Sequence, residues 1–349
     1  MGGTGQASRR RWRLGFAGFG NVHRALAWLL LRRREELARR YGLEFEATLV
    51  SSRGRGAWVE PGGLDLREAL ERGWSSSVAT LEAIRTAPID LLFEGTPLDP
   101  RGGEPATSHL RAALQRGVSV VSANKGPIAF AARELAALAR RTGAGFRFES
   151  AVADCMPVFS LVETALPVGR VTAFSGVLNA TSNHVLQAVA RGETVQQAVA
   201  EMQRRGIAEA DPSHDLDGWD QAVKASILAQ VLLGRDLKPA DVERVPLSAV
   251  DVGWLRAEAS AGRTVRLAAR GALSGPVRVE PLVLDPGSFL GSLGGGLGLS
   301  LETDSAGTLN VSEAGAGVTQ TAYGMLADLV AIHQGRRLVP SPLWPEDPP

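Results

Sequence analysis

The sequence predicts an α/β protein: a doubly wound parallel sheet comes first, and an α+β unit with an open sheet follows. Three observations carry this reading. Up to about residue 150, short β-branched or aromatic runs alternate with longer helical segments, as parallel strands joined by crossover helices do. The first run ends in glycines and passes directly into a helix. Beyond residue 150, helices cluster and are followed by segments of strand-like alternation.

Residues 13–18 read as a short buried strand, and 21–40 as a helix, apolar early (Leu26, Trp28, Leu29, Leu30) and basic at its end, where the dipole favours cations. Strands are expected at 45–51 and 89–93, a helix at 108–116, a β-branched strand at 118–122, an alanine-rich helix at 127–141 and a strand at 146–149. The second part opens with a helix at 157–165 and a strand at 171–178. Helices at 195–205 and 218–233 follow, then strands within 264–284, a glycine-rich loop at 291–298 and a last helix at 319–333. The expected division is a basic flexible tail (1–11), a nucleotide-type domain (12–150), a second domain (151–312), a helix returning to the first domain (313–335) and a proline-rich tail (336–349).

A chain of 349 residues can bury two cores, and 44% hydrophobic with 21% charged residues is ordinary globular composition. A net charge of +1 supplies no field that would draw nucleic acid or an anionic membrane. No segment reaches the ~20 apolar residues of a membrane span. Ser8-Arg9-Arg10-Arg11-Trp12 has the outline of a twin-arginine export signal, but its apolar run stops at Gly18-Phe19-Gly20-Asn21, so a cytoplasmic location is expected. The single cysteine, Cys155, makes no internal disulfide, and His23, His109, His184, His214 and His333 lack zinc-type spacing. Metal hydrolase chemistry is therefore not expected.

Lysine is the unusual count. Of 38 lysines and arginines only Lys125, Lys224 and Lys238 are lysines. Where arginine serves every generic need for positive charge, a retained ammonium points to proton chemistry that guanidinium does not perform.

Gly15-Phe16-Ala17-Gly18-Phe19-Gly20-Asn21-Val22-His23 lies between a strand and a helix. Glycines there admit a pyrophosphate, and the helix N-terminus supplies amides and positive dipole, so this is a Rossmann-type dinucleotide signature. His23 takes the third-glycine position, so helix-to-strand packing must differ there. After the second strand stand Ser51-Ser52-Arg53, where an NAD enzyme places an acid on the ribose; hydroxyls and an arginine suit a 2′-phosphate and favour NADP over NAD. The bland alternative is that Arg53 is a solvated loop residue. Glu94-Gly95-Thr96-Pro97-Leu98-Asp99 and Ser122-Ala123-Asn124-Lys125-Gly126-Pro127 end two further strands, where open α/β sheets bind ligands. Asp220 and Lys224 are four apart on a helix and share a face; a surface ion pair is the usual meaning, but Ala222, Val223, Ile227 and Leu228 give this lysine apolar surroundings.

Gly18-Phe19-Gly20-Asn21-Val22, Thr96-Pro97, Ala123-Asn124-Lys125, Leu178-Asn179-Ala180-Thr181-Ser182-Asn183, Ala208-Glu209-Ala210-Asp211-Pro212, Asp220 with Lys224 and Gly315-Ala316-Gly317 stand in one order, from about residue 13 to 333. In this the chain resembles homoserine dehydrogenase. The resemblance implies a homodimer that transfers hydride reversibly between NAD(P)H and the aldehyde of aspartate 4-semialdehyde. It implies catalytic roles for Lys125 and Lys224, with Lys224 the better proton shuttle. It implies substrate contacts at Glu209, Asp215, Asp220 and Thr181. Cofactor contacts are implied at Gly18, Phe19, Gly20, Asn21, Val22, Ser52, Arg53, Thr96, Pro97, Asn124, Gly315 and Gly317. A monovalent cation such as Na⁺ is implied at Glu149 and the Val152 carbonyl. Threonine feedback through a regulatory domain is not expected.

The run Val152-Ala153-Asp154-Cys155 replaces the small residues usual in the family, Ala180 replaces a common glycine, and 293–300 matches poorly. These departures motivate a second reading, a paralogous dehydrogenase with a reshaped pocket for another small hydroxy or keto acid. A third, a nucleotide-binding regulator without catalysis, is opposed by the two retained lysines.

Overall fold

Apolar runs too short for helices and buried on both faces build the first sheet. The computed structural model describes residues 10–99, 101–204, 213–315 and 317–342. The chain divides into two units, Met1–Cys155 with Gly317–Val339, and Met156–Ala316 with Pro340–Pro349. The first contains β1 (Arg10–Ala17), α1 (Asn21–Tyr41), β2 (Leu43–Ser52), β3 (Gly56–Leu64), α2 (Leu66–Glu71), α3 (Thr80–Thr86), β4 (Leu91–Glu94), α4 (Ala106–Gln115), β5 (Ser119–Ser122), α5 (Lys125–Thr142), β6 (Phe146–Arg147) and α6 (Ser150–Ala153). The sheet order is β3-β2-β1-β4-β5-β6, parallel except for β3 at the edge. The register sets Ala17 beside Ser51 and Glu94, and Glu94 beside Ser122, so the carboxyl ends of four strands finish level. Every cofactor motif read from the first half follows directly on that row.

β3, α2 and α3 were not foreseen. β1 begins at Arg10, so Arg10 and Arg11, expected in the tail, extend the strand: the Arg10 guanidinium lies 3.8 Å over the Trp12 ring, and Arg11 reaches Glu44 at 3.6 Å and Glu46 at 3.7 Å.

The second unit holds α7 (Phe159–Ala165), β7 (Val171–Val177), α8 (Ala180–Ala190), α9 (Val195–Arg204), α10 (Ser213–Leu216), α11 (Trp219–Leu233), β8 (Glu243–Arg244), α12 (Val252–Ser260), β9 (Thr264–Ala272), β10 (Arg278–Leu284), β11 (Leu297–Thr303) and β12 (Thr308–Glu313). Its sheet runs β12-β11-β7-β9-β10-β8, antiparallel except for the β10–β8 pair. α11 packs on β7, β9 and β10 and is buried from Gln221 to Leu233, which explains its nearly unbroken apolar sequence. The glycine-rich segment is only partly a loop, since Leu297 and Gly298 already belong to β11.

The chain then returns to the first unit through α13 (Val318–His333), whose Met325, Leu329 and Ile332 share a core with Leu26, Leu30 and Leu37 of α1. The buried Asp328 of α13 accepts from Arg147 Nε at 2.8 Å and from the Glu149 amide at 2.8 Å. Phe146 donates to the Arg337 carbonyl at 2.7 Å and Val339 is buried, so residues 336–339, expected in the tail, are fixed to this unit. Among the described residues no helix is long and apolar enough to cross a membrane.

Candidate active site

In the first unit, Gly18 turns β1 into α1 with φ +84°, and a Cβ there would lie 2.7 Å from the Thr96 amide nitrogen. Only glycine fits. Gly18 and Phe19 donate to the Ser51 carbonyl at 3.0 and 2.8 Å, which pins the turn to the end of β2. The Phe19 side chain turns inward, edge-on to Phe16 and Trp74, so this position presents backbone to the outside. α1 starts at Gly20 with no side-chain cap and no acid in its first turn; Asn21 is exposed and Val22 half-buried. An uncapped helix N-terminus behind a glycine that tolerates no side chain fits a dinucleotide pyrophosphate.

His23 occupies the third-glycine position as a core residue. Its ring is fully buried against Phe16 and Phe93, with centroids at 5.7 and 6.4 Å, and burial pushes its pKa down to about 3. Gly95 accommodates it, because a Cβ on Gly95 would come 2.7 Å from His23 Nε2.

Ser52 is half-buried and Arg53 exposed at the end of β2. Thr96 and Pro97 follow β4. Asn124 caps α5, accepting from Gly126 at 2.9 Å, while its amide group donates to the Thr96 carbonyl at 2.8 Å. Lys125, half-buried, is the first residue of α5. Glu149 is buried at the start of α6, which also carries Val152.

Asp154 explains one departure from the family pattern. Its φ is +48°, the one left-handed value among the described non-glycine residues. Its carboxylate accepts from the Gly317 amide at 3.0 Å and the Thr321 hydroxyl at 2.7 Å. The aspartate therefore caps α13 and fixes Gly317, next to Gly315, whose φ is +96°.

In the second unit, Asn179 caps α8 by accepting from Ser182 at 2.9 Å. Its amide nitrogen donates to Asp215 at 2.8 Å and to Asp220 at 3.0 Å, drawing two carboxylates to one point. Lys224 Nζ, on a residue only 9% exposed, donates to the Leu178 carbonyl at 2.5 Å and pairs with Asp220 at 2.9 Å. Thr181 is buried beside Asp215. Burial, and next the charge of Asp220, push the Asp215 carboxyl above its usual range despite bonds from Asn179 and Thr181 and the charge of Lys224.

The structure thus gathers Thr181, Asp215, Asp220 and Lys224 into one cluster, and Gly18, Phe19 and Gly20 with Thr96, Pro97 and Asn124 into another. Glu209 and Ala316 lie outside the described residues. Sequence reasoning left Asn179, Asp154 and Glu94 out of the site. The signal for Asn179 was available: an asparagine directly after a strand and before an apolar-periodic stretch is a helix cap.

Comparison with known proteins gives the family. The sequence profile described as homoserine dehydrogenase matches residues 157–330. An NAD⁺-dependent homoserine dehydrogenase of Pseudomonas canavaninivorans is 36% identical over 340 residues, covering 93% of this chain and 96% of its own. The homoserine dehydrogenase of Methanocaldococcus jannaschii is 30% identical, with 92% and 98% covered. A solved structure of a hyperthermophilic archaeal homoserine dehydrogenase in complex with NADPH has a TM-score of 0.79 at 27% identity, with 93% of this chain and 98% of that one covered. Identities of 30–36% over more than nine-tenths of the chain, together with the matching profile, identify the chain as a member of the homoserine dehydrogenase family.

Proposed function

We propose that the chain reduces L-aspartate 4-semialdehyde reversibly to L-homoserine, with NADP preferred over NAD. One observation carries the chemistry. Lys224 is bonded to Asp220, while Asp215, held by the same Asn179, is a second carboxylate whose charge the single ammonium does not cancel. A proton donor thus stands next to an anionic pocket suited to the ammonium group of an amino-acid substrate. The bound nicotinamide supplies or accepts the hydride. Of the three ammonium protons of Lys224, the described partners take two, leaving one for the substrate oxygen. In reduction that proton passes to the oxygen as hydride reaches the aldehyde carbon, giving the alcohol; in oxidation Lys224 takes it back. Lys125 is the second catalytic lysine that the family resemblance implies. Asp215, Asp220 and Glu209 hold the amino group, and Thr181 lies against the substrate.

The relatives are divided on cofactor, one being named NAD⁺-dependent and another bound to NADPH. NADP rests on Ser52 and the exposed Arg53 at the end of β2. Gly315 and Gly317 complete the cofactor contacts. Glu149 and the Val152 carbonyl hold a monovalent cation, read out by comparing rates in sodium, potassium and a bulky organic cation. The active form is a homodimer, read out by light scattering as twice the mass of the chain.

The central test is reduction of NADP⁺ and NAD⁺ by purified protein with L-homoserine, beside Lys224→Ala. Homoserine-dependent reduction is expected, with kcat in the variant lower by about 10²–10⁴-fold and cofactor affinity unchanged. Turnover of another hydroxy acid but not of homoserine would replace this reading with the paralogue, and cofactor binding without any turnover would support the regulator.

A further inference from the structure

A glutamate lies buried under the turn that follows β4. Glu94 is 0% exposed, and its Oε1 accepts from both donors of Thr96, the amide at 3.2 Å and the hydroxyl at 2.5 Å. His109 of α4, 4% exposed, places Nδ1 3.5 Å from the same oxygen. Among the described residues Glu94 Oε2 has no hydrogen-bond partner. A carboxylate is expensive to bury, and here its hydrogen bonds go to Thr96, two residues on, and to His109.

The bonds continue past Thr96. The Thr96 carbonyl accepts from Asn124 Nδ2 at 2.8 Å and the Pro97 carbonyl accepts from it at 3.4 Å, while Asn124 Oδ1 accepts from Gly126 in the first turn of α5. His109, Glu94, Thr96 and Asn124 therefore form one polar chain from α4 to the residue that immediately precedes Lys125. From the side of α1, His23 leaves no room for a side chain at Gly95. Glu94 engages both donors of Thr96, and Asn124 the carbonyls of Thr96 and Pro97.

We propose that Glu94 is the positioning residue of the cofactor site: it fixes the Thr96–Pro97 turn as a rigid bed for the cofactor and, through Asn124, fixes the start of α5 and with it Lys125. This rests on the proposed cofactor role of Thr96, Pro97 and Asn124. Glu94 touches neither cofactor nor substrate in this role; it acts by taking up the donors that would otherwise let the turn rearrange.

The test measures the dissociation constant of NADPH by its fluorescence, for the wild type, Glu94→Ala and Glu94→Gln, beside the melting temperature of each apoprotein. Glu94→Ala is expected to raise the dissociation constant by at least about tenfold, which corresponds to about 1.4 kcal/mol. Glu94→Gln keeps an oxygen for both Thr96 donors and is expected to restore affinity to within about threefold of wild type. That rescue separates positioning by hydrogen bonds from a need for charge. Should Glu94→Ala not fold, Thr96→Val removes only the hydroxyl donor and is expected to weaken NADPH by about three- to tenfold. Wild-type affinity in Glu94→Ala, or in Thr96→Val where the former does not fold, would overturn the proposal, as would a lowered melting temperature with NADPH affinity intact. Failure of the wild type to bind either nicotinamide cofactor would instead remove the functional reading beneath it.

Discussion

Asp215 shows what the proposed substrate pocket costs. Its carboxyl is pushed upward by burial and by Asp220, so the folded chain holds that proton more tightly than the unfolded chain does. Its stabilising share is present at acid pH and is lost as pH rises through the folded value, so above that value the ionised group is a burden on the free protein. Asp215→Asn keeps an oxygen for Asn179 and removes the burden. The variant should melt higher than the wild type without ligands, while KM for homoserine rises by about 10- to 100-fold, the cost of losing a charged hydrogen bond to an ammonium. A variant that melts lower, or binds homoserine normally, would remove Asp215 from the proposed role.

His23 has the opposite sign. The imidazole of the unfolded chain takes up a proton near 6.5, the folded one only near 3. The unfolded state therefore binds more protons throughout that window, and stability falls as pH is lowered through it. Between pH 7 and pH 5 this group alone should cost about 2 kcal/mol. In denaturant titrations His23→Leu is expected to lose correspondingly less stability over the same interval. Equal losses would mean that the ring finds a partner for its proton.

At the scale of elements, α13 depends on a residue outside it. Asp154 accepts a left-handed backbone in order to bond Gly317 and Thr321. Asp154→Gly loses the cap and relieves the backbone, whereas Asp154→Ala loses the cap and keeps the strain; each effect is about 1 kcal/mol. Melting temperatures should fall in the order wild type, glycine, alanine. An alanine variant as stable as the glycine one would show that the backbone conformation is not strained.

The glycine turn, both lysine motifs and most helices were legible because each leaves a local mark: a positive φ, an uncommon residue or an apolar period. Other elements were not. β3 contains Gly62, Gly63 and Pro61, which an edge strand tolerates and a central strand does not, so its sequence reads as a loop. α8 opens on Thr181, Ser182, Asn183 and His184, polar residues that look like a turn until Asn179 is seen to cap them. β11 alternates Leu297, Leu299 and Leu301 inward, but the glycines before it hide its start. Asp154 and Glu94 were beyond sequence reasoning for another reason. Gly317 and Thr321 come to Asp154, and His109 to Glu94, only through the tertiary fold, and that Glu94 turns inward onto Thr96 leaves no mark in the sequence.

At the scale of the whole molecule, the first unit is built from two stretches of chain with the main stretch of the second unit, Met156–Ala316, between them. α13 supplies Met325, Leu329 and Ile332 to a core begun by Leu26, Leu30 and Leu37 of α1. On the ribosome, then, the nucleotide-type half is begun first and closed only after Met156–Ala316 has been made. The apolar face of α1 must wait, uncovered, while the intervening stretch Met156–Ala316 is synthesised and free to fold. Nascent chains stalled just before α13 should be cut readily by protease within residues 12–150 and resist within 156–315. Equal resistance in both halves would show that the first needs no closing helix. If the wait is real, the vulnerable period of this protein is its synthesis, and a chaperone would serve it best between the emergence of α1 and that of α13.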